Sequence, residues 1–304
     1  MITFTVPEEI RGFFRSRQGV AYAALFKASS EAMKTLVADE RFIGGDVPGF
    51  FGVLHTWGRT LNYHPHIHYV VAGGAWSRSD NSWHPSRPGF YVPNKALSRI
   101  YRAKFRDLMR DAGMSRLIDP AVFRDGWNVN IQPVGAAEQS IRYLSHYVFK
   151  VAISDHRIVD VADGTVTFSY KKPKSRRTRY MKLDAEDFMS RFLQHSLPPG
   201  FMKVRYYGFM HPCSGVPLEK VRTSIDLLAG DLLRRHVAGR SQNDARLGPG
   251  SALDAGDAEI GDPDFTDLQD HDVGRFNVPV DNWGFLMVEV FECVSNLFCP
   301  VQYF

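Results

Sequence analysis

Cysteine is scarce. The 304-residue chain has three, Cys213, Cys293 and Cys299, all in its last third and none in a CxxC pair. That excludes a legible disulfide framework or zinc knuckle and predicts reduced thiols. Long apolar runs are missing too: nothing reaches the roughly 18 consecutive apolar residues of a membrane-spanning helix. The opening Met1-Ile2-Thr3-Phe4-Thr5-Val6-Pro7 alternates like a strand instead of placing a basic flank before an apolar stretch, so no secretory signal is read and the protein is expected in the cytoplasm. A glycine-rich phosphate fingerprint is absent as well, and Gly73-Gly74 reads as a turn.

The charge is unevenly spread. Residues 1–212 hold 30 lysines and arginines against 18 acids, a balance of +12, whereas residues 213–304 hold 7 against 15, a balance of −8. Periodic patterning also thins after Pro212. The expected organisation is therefore a basic domain over 1–212 and a C-terminal extension over 213–304. The extension has a helix over 216–238, an acidic linker of disordered composition over 241–274, and an apolar end. A positive domain of this strength favours a polyanion partner, bound in a salt-dependent way.

Within the basic part, residues 2–6 read as a strand, 16–38 as a helix, and 50–57 with 66–71 as an antiparallel hairpin around Gly58, Asn62 and Pro65. A second helix is expected over 93–114 and a strand over 127–132. Strand periodicity puts His66 and His68 of Leu61-Asn62-Tyr63-His64-Pro65-His66-Ile67-His68 on one face, so two imidazoles from one rigid element can hold a divalent ion with positions left open. With the loop centred near Leu61, His55 falls opposite His68 and becomes the candidate third ligand. His64 has the same parity, but Pro65 interrupts the strand there.

A helix from about Ala136 carries Ile141, Leu144 and Val148 as its buried stripe. Tyr143 and Tyr147 lie one turn apart and off that stripe, so both phenols project from one face as candidate nucleophiles. Lys150, one turn further, could lower a tyrosine pKa or hold a phosphate, with Arg142 and Gln139 as further candidates. Next come a hairpin over 158–161 and 165–170, a strand over 180–183, and a helix from an Asp184 N-cap to Leu197. Between them Lys171, Lys172, Lys174, Arg176, Arg177 and Arg179 crowd six cations into nine residues, either a phosphate-gripping edge or a solvated loop.

The motifs His55-Thr56-Trp57-Gly58, Leu61 through His68, Tyr143-Leu144-Ser145-His146-Tyr147 with Val151-Ala152-Ile153-Ser154, and Asp184-Ala185-Glu186-Asp187-Phe188 with Tyr207-Gly208-Phe209 occur in order. Together they resemble the rolling-circle transposases of the insertion-sequence-ninety-one family, which are HUH single-strand endonucleases, over roughly residues 1–225. The resemblance implies an α+β fold, an HUH-type antiparallel sheet flanked by helices. It also implies Mg²⁺ or Mn²⁺ on His66 and His68, tyrosine nucleophiles at 143 and 147, a 5′-phosphotyrosine intermediate, and single-stranded DNA of transposon ends and target as partner. Family members usually carry a cysteine-rich zinc module before the first strand. None is visible here, so the chain reads as truncated. Two other readings stay open: a remnant that only binds single-stranded nucleic acid, and a hydrolase using the histidines with a water nucleophile.

Overall fold

The computed structural model describes residues 1–133, 152–172, 175 and 177–229. Alternating side chains build an antiparallel sheet from β1 (Ile2–Thr5), β2 (Val47–Trp57), β3 (Tyr63–Ser77), β4 (Ser82–Pro85) and β5 (Val129–Ile131), completed by a late strand, Val204–Tyr207. The order is β5-β1-β3-β2 and then the late strand, with β4 paired to β3. Ile2, Phe4, Phe50, Leu54, Ile67 and Tyr69 bury one face against α1 (Arg11–Ser16), α2 (Gln18–Val37) and α3 (Asn94–Asp111). Each fully buried ring or branched chain there contributes roughly 1.5–3 kcal/mol. The edge-on contacts of Phe4 with Tyr69 and Tyr101, at 5.7 and 5.0 Å, fix its packing.

The opposite face is divided. Towards one end Phe51, Val53, Val70, Ala72 and Trp76 pack with Trp83, Phe209, Val216 and Val221. Towards the β2–β3 turn the same face carries the histidines. The fold is α+β, as the resemblance implies: an antiparallel sheet with flanking helices.

Several elements differ from the sequence reading. Gly73-Gly74 is not a turn: β3 runs through it, because a side chain at Gly74 would overlap the His84 carbonyl and the Trp83 ring of β4. Pro65 likewise lies inside β3. His55 faces His66, not His68; the turn pivots on Leu61 at φ 60, and the register shifts between His55 and Trp57. That two-residue slip keeps every side chain on its expected face, whereas a one-residue slip would have reversed them. The helix after Asp184 spans Ala185–Leu193 (α4), stopping short of Leu197, and Asp184 makes no side-chain cap bond. Helix α1, β4 and the Val204–Tyr207 strand are additions.

A second sheet, β6 (Ile158–Ala162), β7 (Thr165–Lys171) and β8 (Thr178–Asp184), is antiparallel throughout, and the late strand is therefore β9. Its first turn uses Asp163 and Gly164 at φ 51 and 70, the left-handed pair that a tight hairpin needs. Val166 and Phe168 of β7 and Phe188 of α4 pack with Leu61, Ala152 and Ile153. Residues 218–229 are helical, within the expected 216–238. The expected tyrosine helix, with Gln139, Arg142, Tyr143, Tyr147 and Lys150, lies outside the described residues. So do Lys174, Arg176, the acidic linker and the apolar end. Among the described residues no helix is long and apolar enough to cross a membrane.

Candidate metal centre and nucleic-acid interface

His55 leaves β2 and His66 and His68 leave β3 on the face that α1–α3 do not cover, and one ligand atom from each imidazole lies within 4.8 Å of the others. The ring centroids are 4.9 Å apart for His55 and His68, 5.3 Å for His55 and His66, and 4.8 Å for His66 and His68. Three nitrogens on one tetrahedral or facial octahedral ion stand about 3–3.5 Å apart at ordinary bond lengths, so ring rotations that draw the three atoms together close the set. The triad can therefore hold a divalent metal ion.

Hydrogen bonds orient the rings. His66 Nδ1 meets the His64 carbonyl at 2.6 Å; a carbonyl only accepts, so Nδ1 carries the proton and Nε2 offers its lone pair. Thr3 Oγ1 pairs with His68 Nδ1 at 2.9 Å, which makes β1 part of the site. The Nε2 atoms of His55 and His68 are shielded from solvent. Burial pushes the His68 pKa down to about 4, with the repulsion its protonated form would meet from His64 and the amino terminus adding to it, and this keeps the ring neutral as a metal ligand must be. His64 is outside the triad, its ring 5.1 Å from that of His66. Burial lowers its pKa to about 4 as well, with His66 and Arg11 contributing.

Around the triad the face is polar. Thr5 pairs with His66, and Thr3 stands between His68 and the exposed Asn130 of β5. Trp57 stacks on His55 at 5.4 Å, and the Lys203 ammonium lies 5.0 Å from the Trp57 ring, its pKa lowered by burial. Sequence reasoning did not single out Thr3, Asn130 or Lys203. They reach the site only through strand pairing, and no local pattern marks them. Buried His195 braces the turn, with Nδ1 3.3 Å from Thr56 Oγ1 and Nε2 donating to the Leu61 carbonyl at 3.2 Å.

The basic hairpin is fastened to this same turn. Arg59 Nη1 donates to the Lys171 carbonyl at 2.9 Å, Arg157 Nη2 to the Arg59 carbonyl at 2.7 Å, and Arg157 Nε to the Ser169 carbonyl at 2.9 Å. Lys171 closes β7 and Arg179 lies in β8, while Lys172 and Arg177 stand exposed between them.

Residues 134–151 are bracketed by two described anchors. At one end, Gln132 N donates to the Met1 carbonyl at 2.9 Å, beyond the row Asn130, Thr3, His68, Val53 and away from the β2–β3 turn. At the other end, Ala152 and Ile153 are buried against Leu61 in that turn, in a cluster that Trp57 also joins. The histidine rows lie between the two anchors.

The family model described as "Putative transposase" matches residues 49–216, a span that opens in β2 and takes in the histidines and the basic hairpin. The chain is 37% identical to "Putative transposase y4qJ" of Sinorhizobium fredii (strain NBRC 101917 / NGR234), over 69% of this chain and 57% of that protein. It is 26% identical to "Transposase for insertion sequence element IS801" of Pseudomonas savastanoi pv. phaseolicola, over 69% of this chain and 53% of that protein. The chain thus spans about half the length of the curated relatives it matches. No solved structure gives a significant match. On the family match and the shared identity together, the chain belongs to this transposase family, the insertion-sequence-ninety-one group that its motifs resemble.

Proposed function

We propose that this chain cuts and rejoins single-stranded DNA in transposition, with Tyr143 or Tyr147 as nucleophile and a divalent metal ion held by His55, His66 and His68. The observation that carries the reading is the histidine triad on the sheet face opposite α1–α3, between the two anchors that bracket the tyrosine segment. The fused basic hairpin supports a polyanionic substrate at the same place. An all-imidazole donor set suits Mn²⁺ better than the oxygen-seeking Mg²⁺. Bound there, the ion would polarise the scissile phosphate and steady the departing oxygen.

The chain's own groups do the rest. A tyrosine oxygen attacks phosphorus, the bond from phosphorus to the 3′ oxygen breaks, and the phenolic proton is passed on as the departing strand end becomes a 3′ hydroxyl. The product is a 5′-phosphotyrosine, which a second 3′ hydroxyl can attack to rejoin DNA without a nucleotide cofactor. Lys150, three residues beyond Tyr147, supplies positive charge for a phenolate or phosphate. Thr3 holds the His68 ring in place, and the His64 carbonyl sets the orientation and tautomer of His66.

Incubation with Mn²⁺ and a single-stranded oligonucleotide library, followed by denaturing electrophoresis, tests the reading. The expected result is a covalent adduct that vanishes in Tyr143→Phe plus Tyr147→Phe. An adduct surviving the double substitution removes the tyrosines. Oligonucleotide binding that ignores metal and never yields an adduct supports the alternative of a binding-only remnant.

A further inference from the structure

The outward face of the β6–β7–β8 sheet is unlike its inward one. Strand alternation turns Val166 and Phe168 into the cluster around Leu61 and turns Thr167, Ser169 and Lys171 outward. Cross-strand pairing places Thr178 opposite Lys171, Tyr180 opposite Ser169 and Lys182 opposite Thr167. The centre of that face is a tyrosine ring with 64% of its surface exposed, the largest apolar group there. Lys182 follows two residues along the same strand and Lys171 stands on the diagonal of the neighbouring strand, each about 7 Å from Tyr180 by sheet spacing. Asp160, opposite Thr167, and Asp184, opposite Thr165, lie at the far end of this face, so its potential falls from positive beside the β2–β3 turn to negative at the β6–β7 turn.

We infer that this face is a stacking platform for single-stranded DNA, with a base lying on Tyr180 and the flanking phosphates drawn to Lys171 and Lys182. Three features select that ligand. Residues 158–184, the three strands with their connections, carry seven lysines and arginines against three acids, with the cations gathered at the end beside the β2–β3 turn, which matches a polyanion there. An exposed phenol ring between lysines offers a flat surface to any unpaired base, whereas a duplex hides its base faces. The platform is also registered to the metal centre: Ser169, the partner of Tyr180, is bonded by Arg157, which is bonded to Arg59 in the turn four residues beyond His55. Positioned this way, Tyr180 holds the strand a few nucleotides from the scissile phosphate, a role that rests on the endonuclease reading above. The binding itself does not.

Fluorescence anisotropy with a fluorescein-labelled thymidine oligonucleotide of about 20 nucleotides, at about 0.15 M salt, reads the platform in the full chain. Wild type, Tyr180→Ala and Tyr180→Phe are compared, with circular dichroism to check that the exposed substitutions leave the fold intact. Loss of one base–aromatic stack, about 1–3 kcal/mol, weakens binding about 5- to 150-fold in Tyr180→Ala, while Tyr180→Phe keeps the ring and stays within about twofold of wild type. Binding in Tyr180→Ala within about twofold of wild type, an equal loss in Tyr180→Phe, or no binding by wild type overturns the platform. The covalent-adduct assay separates the two claims. A Tyr180-dependent affinity with no adduct keeps the platform and removes the endonuclease, and an adduct with Tyr180-independent affinity does the reverse.

Discussion

Acid should destabilise this protein through His68. The ring is 7% exposed, and burial holds its pKa at about 4 against an ordinary 6.5. Because the folded value is the lower one, the unfolded chain takes up the proton first as pH falls. The stability at stake is fully present above about pH 6.5, shrinks between 6.5 and 4, and levels off below. At about 1.4 kcal/mol per unit, the gap of about 2.5 units sets a ceiling near 3.5 kcal/mol, of which about 2.5 kcal/mol is lost by pH 4.5. Out of a typical total of roughly 5–15 kcal/mol this is a large share. Urea unfolding of wild type and His68→Asn at pH 7 and 4.5 measures it, since asparagine does not titrate and its amide takes the Nδ1 position that meets Thr3. Wild type should lose about 2 kcal/mol more than the variant over that interval. Equal losses would show that His68 is not held neutral by the fold, and the claim of a preformed imidazole ligand would go with it.

Manganese should stabilise the fold: at 100 times its dissociation constant, binding to the native state adds about 2.7 kcal/mol, seen as a higher Tm. His55→Ala or His66→Ala should abolish that rise; a rise retained in both would move the ion elsewhere. Gly208→Ala should cost more than about 3 kcal/mol in chemical denaturation, because residue 208 combines φ 62 with a Cβ that runs into the Pro48 carbonyl. Gly200→Ala, at φ 71 but in open space, should cost only about 1 kcal/mol. Equal effects would contradict the close approach of residue 208 to β2.

The histidine face was legible because strand alternation is strict: His66 and His68 share a side while Ile67 is buried among the helices. The register was less legible. A non-glycine residue at positive φ, Leu61, and the irregularity after His55 leave no mark on the sequence. Gly73-Gly74 misled because glycine serves turns and close strand approaches alike, and only the tertiary position of Trp83 decides between them. Helix α1 was hidden by its start: Pro7-Glu8-Glu9-Ile10 has no side-chain N-cap, and the chain enters through a short 3-10 turn. The β6–β7 hairpin was legible because Asp163-Gly164 specifies its turn. Thr3 and Lys203 were not, since their roles arise from pairing and packing across the sheet.

Cleavage by this route requires metal and phenol to meet at one phosphate. Ring-labelled tyrosine spectra recorded with and without Mn²⁺, with signals assigned by Tyr143→Phe and Tyr147→Phe, measure that proximity through paramagnetic broadening. Strong broadening of both signals by Mn²⁺, lost in His66→Ala plus His68→Ala, is the expected result. Sharp Tyr143 and Tyr147 signals at saturating Mn²⁺ would contradict it.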